Sequence, residues 1–294
     1  MKPRIRSVSL CKYAKVANEL GIDPLRMFRQ VGLDHSCLSS PDLMVPEAAF
    51  AQLLEASSAQ AGHASLGLLM GSHWRLSDFG PISLLLQHQA SLASLLKTFK
   101  DYDHMISTTV GTEVVTQGRY SIIQLNLDTE RESPGRHPVE LGITALMSLC
   151  RYQLGKHWSP ASIHFSHSSP GSTMNHRRVL GSEIVFGSDF DGIVVSNEDL
   201  EAVDADHDSL MESHARSLME RHAPRPMARS LEQQVRSTLQ SLLPHGRHSI
   251  AHVAGALGYT ARSLQRHLET QNTSFQETLD AVRSQAAPPI ASAT

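Results

Sequence analysis

The sequence has no apolar stretch long enough to cross a lipid bilayer. Its longest aliphatic run, residues 82–86, falls far short of the ~20 apolar residues that a transmembrane helix requires. The N-terminus is basic at Lys2, Arg4 and Arg6, but the residues that follow lack the apolar core of a signal peptide. We therefore predict a cytoplasmic protein with no membrane partner.

Cysteine is scarce, and its three positions do not suggest a shared site. Cys11, Cys37 and Cys150 are odd in number and far apart in the chain. Such a pattern is typical of reduced thiols and gives neither a disulfide framework nor a CxxC metal motif.

Familiar catalytic motifs are missing as well. The chain has no P-loop, no GxGxxG and no G-x-S-x-G nucleophile elbow. Asp204, Asp206 and Asp208 resemble the start of a calcium loop, but Ser209 replaces the glycine and Ala215 the glutamate that such a loop needs. The acidic run is better explained as the solvated start of a helix. We predict no enzymatic activity and no cofactor.

Histidine is abundant, with 17 residues, so a metal site must be considered. His245, His248 and His252 are closely spaced, and His164 and His167 are three apart. Neither group has an acidic or cysteine partner in a recognisable register. The sequence therefore predicts scattered surface histidines and no bound metal.

Charge is distributed unevenly along the chain. The net charge is only −3, yet residues 225–294 carry seven arginines and four acidic residues. Residues 1–224 carry 19 basic and 25 acidic residues. A basic C-terminal end permits contact with DNA phosphates but does not by itself indicate it.

Apolar periodicity predicts mixed secondary structure before residue 223. The patterns indicate two strands at 108–117 and 121–127, joined by a turn at Gly118-Arg119. Short strands are predicted at 161–164, 184–186 and 192–195. Helices are predicted at 10–20, 24–32, from Pro46-Glu47 onward, 92–104, 138–154, 174–180 and 207–222. The last of these helices is marked by a stripe of Leu210, Met211, His214 and Leu218.

Two prolines, Pro224 and Pro226, mark the clearest boundary in the chain. We predict one domain over residues 1–223, a linker over 224–227 and a second domain over 228–294. The fold class expected is α+β, with a mixed helix and strand first domain followed by a small all-α domain. The tail from Ala286 is small and rich in helix-breaking residues.

The C-terminal domain contains a helix-turn-helix pattern. Apolar residues at 250, 253, 254 and 257 lie on one face of a short helix, and Gly258 suits the tight turn after it. Thr260 stands where the cap of a second helix is expected. A helical hairpin that only packs is the alternative explanation for this segment.

In the second helix, Leu264 and Leu268 are four residues apart and are predicted to point inward. Arg262, Gln265 and Arg266 share the opposite face, which is the arrangement of a recognition helix. We predict that these three side chains contact bases, each worth roughly 1–3 kcal/mol of discrimination. Thr260 and Ser263 are candidates for phosphate contacts.

The run Leu257–Arg266, followed by Thr273–Arg283, resembles the first helix-turn-helix and linker helix of AraC/XylS-family regulators. Asp78-Phe79-Gly80 and the segment 176–187 are similar to the sensor domain of one branch of that family. The resemblance covers nearly the whole chain. It implies a transcription regulator that binds double-stranded DNA and responds to a small-molecule effector. Residues 1–223 are then an effector-sensing and dimerisation domain, and residues 228–294 a DNA-binding domain.

The chain departs from this family at its C-terminal end. The resemblance implies two helix-turn-helix units, but Ala287-Pro288-Pro289 stops the linker helix that Phe275, Leu279 and Val282 mark. We therefore expect that the second unit is missing and that the chain is truncated, with weakened DNA binding. Three base contacts supply roughly 3–9 kcal/mol, whereas specific regulators need roughly 4–10 kcal/mol over non-specific DNA.

Two functions follow from these patterns. The first is a DNA-binding regulator whose effector and pocket residues the sequence does not identify, with a homodimer as a way to restore affinity. The alternative is a ligand-sensing or dimerising protein that does not read DNA and sequesters a full-length partner.

Overall fold

A computed structural model describes residues 3–41, 43–62, 65–129, 133–222, 231–242, 248–257, 259–270 and 273–286. Its contacts divide the chain into two compact units, residues 1–225 and 226–294. Helices and a mixed sheet occur together, so the predicted α+β class is confirmed. The proposed linker, residues 224–227, and Gly258 lie outside the described residues.

Ten α-helices are described in the first unit. They are α1 Tyr13–Glu19, α2 Pro24–Gln30, α3 Glu47–Gln60, α4 Leu66–Ser72, α5 Ser83–Leu86, α6 Leu92–Tyr102, α7 Arg136–Leu154, α8 Met174–Leu180, α9 Asn197–Glu201 and α10 Ser209–His222.

The same unit contains two sheets. Their strands are β1 Arg4–Arg6, β2 Met44–Pro46, β3 Val110–Gln117, β4 Tyr120–Leu127, β5 Ser162–Phe165, β6 Ile184–Phe186 and β7 Gly192–Ser196. Strands β1 and β2 form an antiparallel pair, and the larger sheet has the order β3-β4-β7-β5-β6. Only β5 and β6 run parallel to each other within the larger sheet.

The β3–β4 hairpin confirms the turn predicted from the sequence. Gln117 pairs with Tyr120, which leaves Gly118 and Arg119 as a two-residue loop. Gly118 has φ +60°, a conformation that two-residue hairpin turns require and that glycine adopts without strain. Side chains alternate in direction along β4, so Ile123 and Leu125 both point into the core.

Helix α7 lies across the sheet and against α4, and this contact depends on glycine. A Cβ atom at Gly67 would collide with the backbone of His137, and one at Gly71 would lie 2.5 Å from Cβ of Thr144. Gly67 and Gly71 are four residues apart, so they occupy one face of α4. Their missing side chains allow the two helices to approach closely.

Helix α10 exists as predicted, but its apolar stripe faces outward. Leu210, Met211 and Leu218 are 63%, 45% and 41% exposed. Met219 is instead buried in the core of the first unit, and Ala215, one turn before it, packs against that core. The helix is therefore rotated so that the Ala215–Met219 row, rather than the predicted stripe, contacts the core. The preceding acidic run starts the helix, since the side chain of Asp208 accepts hydrogen bonds from two backbone N–H groups of its first turn.

The second unit is helical wherever it is described. Its helices are α11 Leu231–Leu242, α12 Ile250–Ala256, α13 Ala261–Thr270 and α14 Phe275–Ala286. Nine buried residues form its core: Leu231, Val235, Leu239, Val253, Ala254, Leu264, Leu268, Leu279 and Val282. Helix α11 was not predicted, although its three core residues recur every four positions. It supplies a third of the core.

Among the helices of the described part of the chain, none is long and apolar enough to span a bilayer.

Candidate functional site

Helices α12 and α13 lie where the sequence predicts a helix-turn-helix. Ser249 caps α12 by accepting a hydrogen bond from the backbone N–H of His252, and Val253 and Ala254 on this helix are buried. After the helix, the backbone N–H of Tyr259 donates to the carbonyl of Ala254 at 2.8 Å, so the chain turns back sharply.

Helix α13 begins with a reciprocal cap. The hydroxyl of Thr260 accepts the backbone N–H of Ser263 at 3.1 Å, and the hydroxyl of Ser263 accepts the backbone N–H of Thr260 at 3.1 Å. The hydroxyl of Ser263 also donates to the carbonyl of Thr260 at 3.0 Å. Paired bonds of this kind satisfy backbone groups that the first turn of a helix leaves open. Thr260 and Ser263, the two candidate phosphate contacts, therefore also cap the start of α13.

The two faces of α13 differ sharply in burial. Leu264 and Leu268 are completely buried, whereas Arg262, Gln265 and Arg266 are exposed. The three exposed side chains line one shallow surface depression together with Thr260, Ser263 and Glu269. All five predicted site residues of the helix-turn-helix therefore lie together. Guanidinium groups donate in pairs to guanine, and an amide pairs with adenine, so this face has the chemistry to read a major groove.

Glu269 was not predicted at this surface. Its carboxylate repels phosphates but can accept a hydrogen bond from the amino group of cytosine. The signal was available in the sequence, because residue 269 follows Arg262 by seven positions and Arg266 by three and so shares their face. Tyr259 and His267 form a further exposed pair nearby, with their rings 5.7 Å apart and steeply inclined.

The first unit contains an apolar cavity of about 80 Å³. It lies between strands β1, β3 and β4 and helices α3, α6 and α7, which supply most of its walls. Gly142 allows α7 to approach the sheet there, because a Cβ atom would lie 2.6 Å from Cδ2 of Leu125. No short sequence motif could have revealed this cavity, because its lining residues come from position 5 to position 146.

One wall of the cavity is a row of aromatic rings. Phe79 lies between Trp74 and Phe99, with ring centroids 5.7 and 5.6 Å apart and edge-to-face inclinations of 71° and 89°. The indole N–H of Trp74 is buried and has no hydrogen-bond partner among the described residues. A buried donor without an acceptor costs about 1–3 kcal/mol, so such a group often marks the position of a ligand or an ordered water.

Asp78-Phe79-Gly80, one of the two family-like segments of the first unit, supports this wall. The carboxylate of Asp78 lies 2.9 Å from Nζ of Lys12, and it also accepts the backbone N–H of Arg75 at 2.8 Å. Gly80 has φ +74°, and a Cβ atom there would lie 2.9 Å from a guanidinium nitrogen of Arg6. The segment therefore fixes the turn that holds the Phe79 ring in the cavity wall.

The other family-like segment contributes to a buried network around Glu140. Nε2 of His176 donates to Oε1 of Glu140 at 2.7 Å, and both side chains are completely buried. His137 and Arg136 lie 3.6 and 3.5 Å from the same carboxylate. Burial raises the pKa of Glu140, but the neighbouring imidazoles and the charge of Arg136 outweigh burial and hold that pKa at about 2. The network joins α7 to α8.

The prediction of scattered surface histidines is wrong for several positions. His137 and His176 are buried, and His164 and His167 are half-buried. The ring of His164 stacks on Phe190 with centroids 4.6 Å apart, and burial lowers the pKa of both His164 and His167. Single-position hydropathy missed them because hydrogen bonds and ring contacts make burial of a neutral imidazole tolerable. His245 lies outside the described residues. Among the residues that the structure describes, no group of three or more potential ligands is arranged to hold a metal ion.

Comparison with known proteins gives consistent results. A family model described as the arabinose-binding domain of AraC transcription regulators, N-terminal, matches residues 21–203. The chain is 26% identical over 283 residues to the HTH-type transcriptional regulator VirS from two Mycobacterium tuberculosis strains, covering 95% of this chain and 82% of that protein. A crystal structure of the transcriptional regulator CdpR from Pseudomonas aeruginosa superposes with a TM-score of 0.49 and 21% identity, covering 88% of this chain and 81% of that one. Since the family model matches more than half of the chain, this protein belongs to the AraC family of transcription regulators.

Proposed function

We propose that this protein regulates transcription in the cytoplasm by binding double-stranded DNA through the exposed face of α13. Arg262, Gln265 and Arg266 contact bases, while Thr260 and Ser263 contact phosphates. The single observation that carries this proposal is the separation of faces on α13, where two buried leucines anchor the helix and three donor-rich side chains are exposed.

The face of α13 that carries Arg262, Gln265 and Arg266, here called the reading face, is small. This limits its selectivity for DNA sequence. Three good base contacts provide roughly 3–9 kcal/mol of discrimination, at the lower side of the roughly 4–10 kcal/mol typical of specific regulators. We therefore expect modest affinity from one copy.

Selection of binding sites from a random duplex library, followed by gel shifts with the full chain, tests the proposal. We expect enrichment of a short common sequence, and loss of selectivity when Arg262, Gln265 and Arg266 are all replaced by alanine. Arg283→Ala is the matched control, because this exposed arginine lies on α14 in the same unit. No enriched sequence, or equal loss in the control, would overturn the proposal.

Self-association is the second part of the proposal. The outward-facing apolar residues of α10 offer a surface for a second copy, which would bring two reading faces to one DNA site. Sedimentation of the wild type and of a Leu210→Glu, Leu218→Glu variant tests it. We expect the variant to be the smaller species, and a wild-type monomer at all concentrations contradicts pairing.

The same two measurements separate the alternative function. A chain that self-associates stably but gives no salt-dependent, sequence-selective DNA binding would act by sequestering a partner rather than by reading a promoter. The exposed apolar face of α10 supports this alternative function, because it is a surface suited to a partner chain.

Response to a small-molecule effector is the third part. It is supported by the apolar cavity of the first unit, which has the apolar lining and few polar groups typical of ligand sites.

A further inference from the structure

Glu269 is an acidic residue on the reading face of α13. It is exposed and lines the same shallow depression as Arg262, Gln265 and Arg266. Successive residues of an α-helix are rotated by about 100°, so Glu269 lies about 20° from Arg262 around the helix axis, on the side of Gln265. The carboxylate therefore stands near the middle of the reading face rather than at its rim.

Glu269 also lengthens the reading face along the helix. From Arg262 to Arg266 the helix rises by about 6 Å, and from Arg262 to Glu269 by about 10 Å. Bases on one strand of duplex DNA follow one another at roughly 3.4 Å along the duplex axis. The additional residue therefore extends the reach of the face by about one base-pair step.

A carboxylate on this face is selective because it offers only hydrogen-bond acceptors. In the major groove, guanine presents two acceptors, and thymine presents a carbonyl oxygen and a methyl group, so neither base can donate to Glu269. Adenine places the acceptor N7 beside its amino group, whereas cytosine presents its amino group alone. Cytosine is therefore the base that suits Glu269.

The neighbouring arginines leave the carboxylate available for such a contact. Arg266 precedes Glu269 by three residues, a spacing at which ion pairs form on one helix. A pair between exposed side chains is weak, so an amino group of the DNA can replace it. Arg262 and Arg266 keep the face attractive to DNA as a whole, while Glu269 repels phosphates locally.

Resting on the proposed DNA-binding function, we propose that Glu269 is a fourth base-contacting residue, which selects a cytosine in the major groove through the exocyclic amino group of that base. It determines specificity at one position of the DNA site. It also lowers the affinity for duplexes that lack a cytosine there, because the carboxylate then has no donor.

Selection from a random duplex library with the full-length wild type, Glu269→Ala and Glu232→Ala tests this role. Glu232→Ala is the matched control, since Glu232 is exposed on α11 of the same unit and its replacement changes the net charge equally. Alanine favours the helix at an exposed position, so both variants keep their helices. We expect one cytosine in the sites of the wild type and the control that Glu269→Ala does not select.

Gel shifts then measure the size of the preference. Replacing the selected cytosine pair should weaken the wild type about tenfold and Glu269→Ala less than about twofold. On a duplex of unrelated sequence, Glu269→Ala should bind about two- to fivefold more tightly than the wild type, because a charge that repels phosphates is gone. Glu232→Ala should change that affinity by less than about twofold.

A base analogue tests the contact itself. 2-Pyrimidinone in place of the selected cytosine still pairs with guanine but lacks the exocyclic amino group. We expect it to weaken the wild type about fivefold or more and Glu269→Ala by less than about twofold.

The outcomes separate the two levels of the proposal. A cytosine preference that survives in Glu269→Ala, or equal weakening of both proteins by 2-pyrimidinone, overturns the role of Glu269 while leaving DNA binding in place. The same holds for a wild-type site in which no cytosine depends on residue 269. A wild type that enriches no sequence removes the DNA-reading function itself.

Discussion

The two units of this protein hold their candidate functional residues in opposite settings, one on an exposed helix face and the other around a cavity. In the C-terminal unit, Arg262, Gln265 and Arg266, which are proposed to contact bases, lie within five residues of one helix and face outward. In the N-terminal unit, the proposed site is an apolar cavity whose walls come from elements up to 141 positions apart in sequence. Nearby residues on one helix keep their relation in any fold that forms the helix, whereas a cavity exists only once the whole core has assembled.

The units also differ in how much core supports them. Nine buried apolar residues hold the second unit together, while the first has a far larger cluster. The same kind of substitution should therefore damage the second unit more completely. The predictions that follow test this contrast, beginning with the largest effect.

Leu268→Ala should unfold the second unit selectively. Removing a buried leucine side chain costs about 2–5 kcal/mol, and Leu268 is completely buried in the smaller core. Both tryptophans, Trp74 and Trp158, lie in the first unit. We expect a loss of helical circular dichroism and of DNA binding with an unchanged tryptophan unfolding transition. If the tryptophan transition shifted as far as the circular dichroism transition, the two cores would not be independent.

Glu140→Gln should destabilise the first unit by about 3 kcal/mol at neutral pH, because folding strongly favours the ionised form of the Glu140 carboxylate. The pKa of Glu140 is about 2, below its ordinary value of 4.5. Its contribution is therefore complete above about pH 5 and is lost as the pH falls toward 2.

Urea unfolding of the wild type and of Glu140→Gln across this pH range tests the assignment. The wild type should lose stability on acidification below pH 5, and the variant should lose about 3 kcal/mol less over the same range. Parallel pH profiles would contradict it. Glu55→Gln, an exposed substitution that also faces His137, serves as the control.

Gly67→Ala should destabilise the first unit by about 1–3 kcal/mol. The added Cβ atom meets the backbone of His137 rather than the end of a flexible side chain, so α4 and α7 must separate. Gly171→Ala in the same unit is the matched control, since nothing lies within 4 Å of a Cβ atom there. Thr260→Ala tests the second unit separately. Thermal unfolding should show a lower tryptophan transition for Gly67→Ala alone, and an equal effect of both would argue against the close helix contact.

Thr260→Ala should have the smallest effect, about 1 kcal/mol on the second unit, because it removes the side-chain half of the α13 cap. Thr260→Ser keeps an acceptor at the same position and should restore most of the stability. Unfolding followed by circular dichroism measures both. An identical loss in the two variants would show that the threonine methyl group, rather than the cap, stabilises the helix.

The contrast between the units explains which expectations held. The β3–β4 hairpin, α7 and α8 were predictable, because local periodicity and a glycine turn define each of them. Strands β1 and β2 were missed, since each holds a single β-branched residue, whereas the equally short β6 and β7 hold two and three and were predicted. The five-residue helix α9 was missed as well. Helix α10 was predicted, but not its rotation, because both its outward stripe and its Ala215–Met219 row fit a helical period.

The buried histidines show a second limit. His137 and His176 flank Glu140 from positions 3 and 36 residues away, so no local motif joins them. Only packing of α8 on α7 brings them into contact. The same is true of the cavity, whose lining residues come from several elements between positions 5 and 146.

The sequence alone determined helices α12 and α13 and the face that the arginines and glutamine of α13 share, because spacing along a helix converts directly into direction. It also determined the α+β class, since the change from a period of two to a period near 3.6 is a local property. The tertiary structure decided which apolar side chains of α10 stay outside, how Glu140 is surrounded and where a cavity remains. Those features depend on contacts between distant segments, which hydropathy at single positions does not record.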